Sequence, residues 1–411
     1  MIKAKRLSKL GYALACTMVA GVVASGCGSS AVSSTNKASA PAGHLKLGFL
    51  NPISGPYASL GADQKNALEL YLKQHNQTLG GRKVDVFTVD EGSGPQTSVP
   101  SARKLIQQDH VDVATGVISS ATAAAVLPQF AAAKTPVLFT QAYPYEKPNP
   151  SPSPYAWAVG VTIPPFTTSM AKYMAAHVDK SKGVYFLAAD YNVGHQLVDQ
   201  TIKAYQALGG RIAGSAFPAY GTTLDYQPYL SKVKESGAGA VYSFFAGSDA
   251  VRFVQQYAQF GLADKVQSYS TSSLTSGAAL QAEGAAAVGI ITNGIYEPDL
   301  ANTANTQFVK DYHAAYGSDP DVFALQQYDA LGVLDKALGG VQGTLTGEAI
   351  VAGLKTVGSV DTPRGSWVLD STLQAPVQDM YLFQVKKTNG VIRNALVQSL
   401  GTLDPVTGLS K

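Results

Sequence analysis

The feature that most limits the fold is a repeated alternation of short, almost wholly apolar runs with longer amphipathic ones. Residues 45–50 form the first apolar run, and residues 62–76 then carry Ala67, Leu68, Tyr71 and Leu72 on one helical face. Residues 84–89, 111–115 and 136–139 are further strand candidates, separated by helical patterns over 102–108 and 121–134. Strands without polar alternation are covered on both faces, and the intervening helices supply the covers. The pattern predicts an α/β chain built on parallel sheet.

A Pro-rich break at 144–165 interrupts the pattern, because its prolines forbid a continuous helix or a central strand. The alternation then restarts, with strands predicted at 183–188, 211–217, 240–245, 267–270 and 288–292, and helices at 196–208, 227–235 and 249–260. The string LGGR occurs twice, at Leu79-Gly80-Gly81-Arg82 and at Leu208-Gly209-Gly210-Arg211, each time between a helix and a strand. A glycine pair there suits a left-handed helix C-cap. Two similar α/β lobes joined by a Pro-rich crossing imply a cleft between them, the usual place for a ligand.

The N-terminus reads as an export signal: Lys3, Lys5, Arg6 and Lys9, an apolar run over 10–24, then Ala24-Ser25-Gly26-Cys27. Small residues before a cysteine resemble the lipobox of bacterial lipoproteins, although Ala24 stands where Leu is usual. The resemblance implies a signal peptide over 1–26, lipidation at Cys27 and an extracytoplasmic, membrane-anchored protein. The Ser/Ala/Gly-rich stretch 27–43 is expected to be a flexible tether. The other cysteine, Cys16, lies within the signal, so no disulfide framework is expected.

Net charge is +3, and the signal carries four bases and no acid, so the rest is close to neutral and lacks the charge of a nucleic-acid binder. Enzyme signatures are equally thin. Ser101-Ala-Arg-Lys104 and Ser231-Lys-Val-Lys234 fit S-x-x-K, but no companion K-T-G follows and Lys104 falls on a polar helix side. The six histidines have no metal-ligand spacing, and no phosphate loop, dinucleotide fingerprint or G-x-S-x-G elbow occurs. His195 reads as a solvent-facing first-turn residue. No enzyme activity, metal or cofactor is expected.

A wider set of residues resembles the extracytoplasmic Leu/Ile/Val-binding proteins of ABC transporters. These are Gly55-Pro56-Tyr57-Ala58 with Gly61, Asp90-Glu91, Lys104-Leu105-Ile106, GVISSATAAAVLP at 116–128, and Asp190-Tyr191 with Gly194. Later come Phe308, Tyr312, Tyr316-Gly317, Pro320 and Tyr328-Asp329-Ala330. Order and spacing over 45–385 carry the likeness. It implies a type I periplasmic-binding-protein clamshell: two Rossmann-like lobes with parallel sheets and a multi-crossover hinge. Lobe 1 is expected at 44–160 plus 292–361, and lobe 2 at 161–291 plus 362–400. The implied function is capture of a small polar solute by lobe closure and delivery to a permease; a monomer is the default expectation. A clamshell sensing module for a membrane receptor is the alternative.

Within that frame Ser119 and Ser120 follow a strand and open a helix, so a hydroxyl and first-turn N–H groups converge where a carboxylate can bind. Either serine is also an ordinary helix cap. The resemblance singles out Ser120, and adds a second carboxylate contact at 140–143, including Ala142 and Tyr143; the family's usual threonine there is replaced by Pro144. Tyr57, Tyr143, Tyr191, Phe245, Tyr269 and Tyr296 fall at or beyond predicted strand ends and are candidate ligand contacts, with lobe-surface packing as the alternative. Amino-acid binders of this type place an acid in the second lobe against the ligand ammonium. The comparable stretch YSTSSL at 269–274 contains none, and Asp249 and Glu297 are the nearby substitutes. A buried ammonium without a partner costs several kcal/mol, so amides and aromatic or aliphatic acids stand beside branched-chain amino acids as expected ligands.

Overall fold

The computed structural model describes residues 43–142 and 153–411, so Cys27, Tyr143 and Pro144 lie outside the described residues. The first lobe opens with β1 (His44–Asn51), α1 (Ala58–Gln74), β2 (Thr78–Leu79), β3 (Arg82–Asp90) and α2 (Pro95–Gln107). It continues through β4 (Val113–Gly116), α3 (Ser120–Ala132), β5 (Val137–Phe139) and β6 (Ala156–Ala158). The sheet order is β2-β3-β1-β4-β5-β6, parallel apart from the β2–β3 hairpin. Leu47 of β1 stands in register with Val86 and Val113. Leu45, Leu47 and Phe49 are fully or almost fully buried, as continuous apolar strands require.

The chain then leaves for the second lobe through α4 (Ile163–His177), β7 (Val184–Ala188), α5 (Asn192–Ala207), β8 (Ile212–Ala216) and α6 (Gln227–Ser236). β9 (Ala240–Phe244), α7 (Gly247–Gln259), β10 (Gln267–Thr271), α8 (Gly277–Glu283) and β11 (Ile291–Gly294) complete it. Here the parallel order is β11-β10-β9-β7-β8. Three helices return to the first lobe: α9 (Thr303–Tyr316), α10 (Val322–Gly339) and α11 (Gly347–Lys355). Leu331, Leu334 and Leu338 of α10 share a core with Leu45 and Leu47.

The final crossing differs from the boundary expected at 361/362. β12 (Gly358–Thr362) and β13 (Gly365–Asp370) still belong to the first lobe, because Val360, Trp367 and Leu369 pack into the core around Leu45 and Leu47. The change of lobe occurs inside β14 (Ala375–Thr388), whose beginning pairs with β13 and whose later part pairs with β11 and with β15 (Val391–Leu403). One long strand therefore serves both lobes. The second crossing also comes slightly later than 292, after β11 ends at Gly294.

The two LGGR strings adopt different structures. Gly80 and Gly81, at φ +54° and +76°, form the two-residue turn between paired Leu79 and Arg82. Gly209, at φ +79°, follows the end of α5 as a left-handed cap. The first copy is a hairpin turn because α1 has already ended at Gln74, and the intervening residues make a short strand.

A buried acid in the second lobe gives the fold a testable pH dependence. Glu283, the last residue of α8, is 3% exposed and neither carboxylate oxygen has a protein hydrogen-bond partner. Burial pushes its carboxyl up to about 8 from an ordinary 4.5. The folded chain thus keeps a proton that the unfolded chain gives up, so this contribution to stability is present below pH 4.5 and is lost as the pH rises to about 8. Glu283→Gln is expected to raise the melting temperature at pH 8 while changing it little at pH 4. Equal destabilisation at both pH values contradicts this.

Candidate functional site

The two lobes face each other across the C-terminal ends of their parallel strands, where strand-to-helix loops carry the polar chemistry. On the first lobe, the loop after β1 is shaped by Asp90 at the end of β3. Its carboxylate accepts hydrogen bonds from the backbone N–H groups of Ile53 (2.9 Å) and Ser54 (3.2 Å) and from the Ser54 hydroxyl (2.6 Å). Gly61 lets α1 approach the strand end, since a Cβ there would lie 1.9 Å from the Pro52 carbonyl oxygen. These constraints place Tyr57 at the start of α1 with its ring buried.

Tyr191 occupies the matching position of the second lobe, at the start of α5 beyond β7. Its hydroxyl lies 3.2 Å from that of Tyr57. Tyr220 packs against both rings, with centroids 5.6 Å from Tyr57 and 4.9 Å from Tyr191. Burial pushes the phenols of Tyr57 and Tyr191 well above their ordinary range, so both stay neutral. The Ser248 N–H donates to the Pro56 carbonyl at 3.3 Å, and Gly247 sits so close that a Cβ would be 2.3 Å from the same oxygen. The lobes are in direct contact around these residues.

The N-terminus of α3 supplies the anion-favouring end of the site. Ser119 caps it, its hydroxyl accepting from the Thr122 N–H at 3.4 Å, while the Ser119 carbonyl accepts from the Ala123 N–H at 2.9 Å. Glu91, fully buried, accepts from the backbone N–H groups of Ile118 (2.9 Å) and Ser119 (2.7 Å) and fixes the turn into the helix. Burial pushes its carboxyl up to about 7 against these bonds. Ser120, the next residue along, faces the space between the lobes.

To that space the first lobe and the crossing contribute Tyr57, Ile118, Ser120, Gln141, Val161 and Phe323; the second contributes Ile163, Phe166, Tyr191, Val193, Leu197 and Phe244, with Ala246, Thr271 and Ser273. The walls are aromatic and aliphatic, and the polar groups are hydroxyls and one carboxamide. No acid or base lines the cavity among the described residues. Both proposed substitutes for a second-lobe acid are occupied elsewhere. Asp249 accepts from the Gly221 N–H at 2.8 Å and pairs with Arg252 at 3.1 Å, and Glu297 accepts from the Asn394 side-chain amide at 2.8 Å.

Of the residues singled out in the sequence, Tyr57, Ser120 and Tyr191 are brought together on the cavity. Ser119 lies beneath it as the cap. Ala142 is buried in the first-lobe core and hydrogen-bonds Val117, while its neighbour Gln141 reaches the cavity. Phe245 points the other way, into a core with Tyr226 and Phe253, because β9 ends one residue earlier and Phe244 takes the cavity side. Tyr269 packs against Tyr173 within the second-lobe core, and Thr271 forms the wall from the same strand. Tyr296 donates to Asn305 at 2.8 Å and does not reach the cavity, although it shares a buried cluster with the wall residues Tyr57, Ile118 and Phe323. Thr140, also in the expected 140–143 contact, spends its hydroxyl on the Gly116 carbonyl and the Gln64 amide. His195 is on the surface beside Asp190 at 2.7 Å, and Lys104 pairs with Asp109. Among the described residues no group of acids, histidines or cysteines is arranged to hold a metal, and no helix is long and apolar enough to cross a membrane.

The sequence model of the periplasmic binding protein family matches residues 44–390. Leu/Ile/Val-binding protein homolog 6 of Brucella melitensis is 26% identical over 381 residues, covering 90% of this chain and 95% of its own. A solute-binding protein of an ABC transporter from R. palustris, solved in complex with benzoate, is 29% identical with a TM-score of 0.80; the match covers 89% of this chain and 99% of that one. A solute-binding protein from Rhodopseudomonas palustris HaA2, in complex with p-hydroxybenzoic acid, is 25% identical with a TM-score of 0.81, covering 88% and 98%. With its two α/β lobes, its three crossings and a match over most of its length, the chain belongs to the periplasmic binding protein family, the non-enzymatic solute-binding components of ABC transporters.

Proposed function

We propose that this protein captures a small aromatic carboxylate outside the cytoplasmic membrane, closes its lobes around it and delivers it to an ABC permease. One observation carries the reading: the second lobe presents only uncharged groups to the cavity. A zwitterionic amino acid needs an anion at its ammonium end, and burying that charge unpaired costs several kcal/mol. An aromatic carboxylate needs only one polar end and a flat apolar body. Ser120 and the first turn of α3 suit the carboxylate, because hydroxyl and helix N-terminus both favour negative charge. Phe166, Phe244 and Phe323, with Ile118 and Leu197, suit the ring. The benzoate and p-hydroxybenzoic acid complexes of similar proteins support the same ligand class. Lipidation at Cys27, with residues 27–43 as tether, is part of the proposal and keeps the protein beside its permease.

Thermal denaturation with candidate ligands tests the ligand class. Benzoate or 4-hydroxybenzoate at about 100 times its dissociation constant stabilises the folded state by roughly 2.7 kcal/mol, while leucine, isoleucine and valine leave the midpoint unchanged. A rise with leucine and none with the aromatic acids overturns the reading.

Ser120→Ala removes one hydrogen bond to a charged group and is expected to weaken binding of the aromatic carboxylate about tenfold, with the ligand-free melting temperature nearly unchanged. Unaltered affinity in calorimetric titration takes Ser120 out of the site.

A further inference from the structure

We infer that the ligand carries a neutral hydrogen-bonding group, a ring hydroxyl, at the end opposite its carboxylate, and that Thr271 reads it. The inference rests on the aromatic-carboxylate reading above, with the carboxylate at Ser120. Ser120 belongs to the first lobe and Thr271 to the second, and the cavity lies between them. A ligand whose carboxylate is held at α3 therefore presents its far end to the end of β10.

The hydroxyls around that strand end have different fates. Ser270 donates to the Ser243 carbonyl at 2.7 Å, and Thr275 donates to Asn394 at 3.0 Å. Thr271 is 1% exposed and its Oγ1 has no protein partner, yet it lines the cavity. Among the described residues it is the one hydroxyl that combines those properties. Gln141, on the opposite lobe, also has an unpartnered Oε1, but a carboxamide presents a donor or an acceptor as needed and discriminates little.

Closing the lobes on an unsubstituted ring leaves the Thr271 hydroxyl buried without a partner. A site built to hydrogen-bond a substituent rejects the analogue that lacks it, because its own polar group is then stranded. The group read is neutral on chemical grounds. Among the described residues no acid stands on the second-lobe wall to meet an ammonium, and no base to meet a second carboxylate. A hydroxyl para to the carboxylate both donates and accepts, as does Thr271.

Calorimetric titration of the whole protein with benzoate and 4-hydroxybenzoate, on wild type, Thr271→Val and Thr271→Ser, tests this. Wild type is expected to bind 4-hydroxybenzoate at least about tenfold more tightly than benzoate. Thr271→Val keeps the shape and removes the hydroxyl; it should bring the two affinities within about threefold, chiefly by weakening 4-hydroxybenzoate, and Thr271→Ser should restore most of the preference. Equal wild-type affinities, or a preference that survives Thr271→Val, overturns the role of Thr271 while leaving the aromatic-carboxylate reading intact. Failure of wild type to bind either acid overturns both. Melting curves of the variants show whether they are folded.

Discussion

A buried guanidinium sits where the chain changes lobes. Arg364, in the turn between β12 and β13, lies 2.6 Å from Asp329 of α10, donates to the Val159 carbonyl at 2.6 Å and bonds the side chain of Gln378. Gln378 in turn donates to the Gly160 carbonyl at 2.8 Å. One cation thereby ties the core helix of the first lobe to the first crossing and to the strand that makes the last. Its own face is stacked on Trp367, 4.1 Å from the ring centroid. Breaking a buried pair by removing one partner costs about 3–5 kcal/mol, far more than an exposed pair contributes. Together with β14, which serves both lobes, this clasp ties the crossings to one another.

The strand ends bring Tyr57 and Tyr191 to within hydrogen-bonding distance, and the lobes meet through Ser248 and Pro56. On the proposed reading, polar ligand contacts come from both sides, and those from the second lobe are made only when the lobes are together. Binding and closure would then be one equilibrium, with the ligand selecting the closed population by the contacts that population alone provides. On the same reading, the uncharged wall of the second lobe selects the solute.

Much of this was legible in the chain. The α/β alternation, the paired lobes and the loop positions of Tyr57, Ser120 and Tyr191 all depend on local periodicity and on where strands give way to helices. The losses have physical causes. A strand's side chains alternate, so moving the end of β9 by one residue exchanges Phe245 for Phe244 on the cavity. Thr271 carried no local mark, because only its position relative to the opposite lobe distinguishes it from the hydroxyls of Ser270 and Thr275. Residues such as Val161, Phe166 and Phe323 look like ordinary core in sequence and become cavity wall through the crossings. The last lobe boundary was misplaced because β12 and β13 pair locally, and nothing local tells which core Trp367 will enter. The missing acid at 269–274, by contrast, was readable from sequence, and it is what points away from a zwitterion.

Small-angle X-ray scattering, recorded with and without ligand, tests most directly whether the two lobes close on an aromatic carboxylate. Saturating 4-hydroxybenzoate should reduce the radius of gyration of the whole protein, while leucine at the same concentration should leave the scattering curve unchanged. Compaction with leucine and none with the aromatic acid would contradict the account.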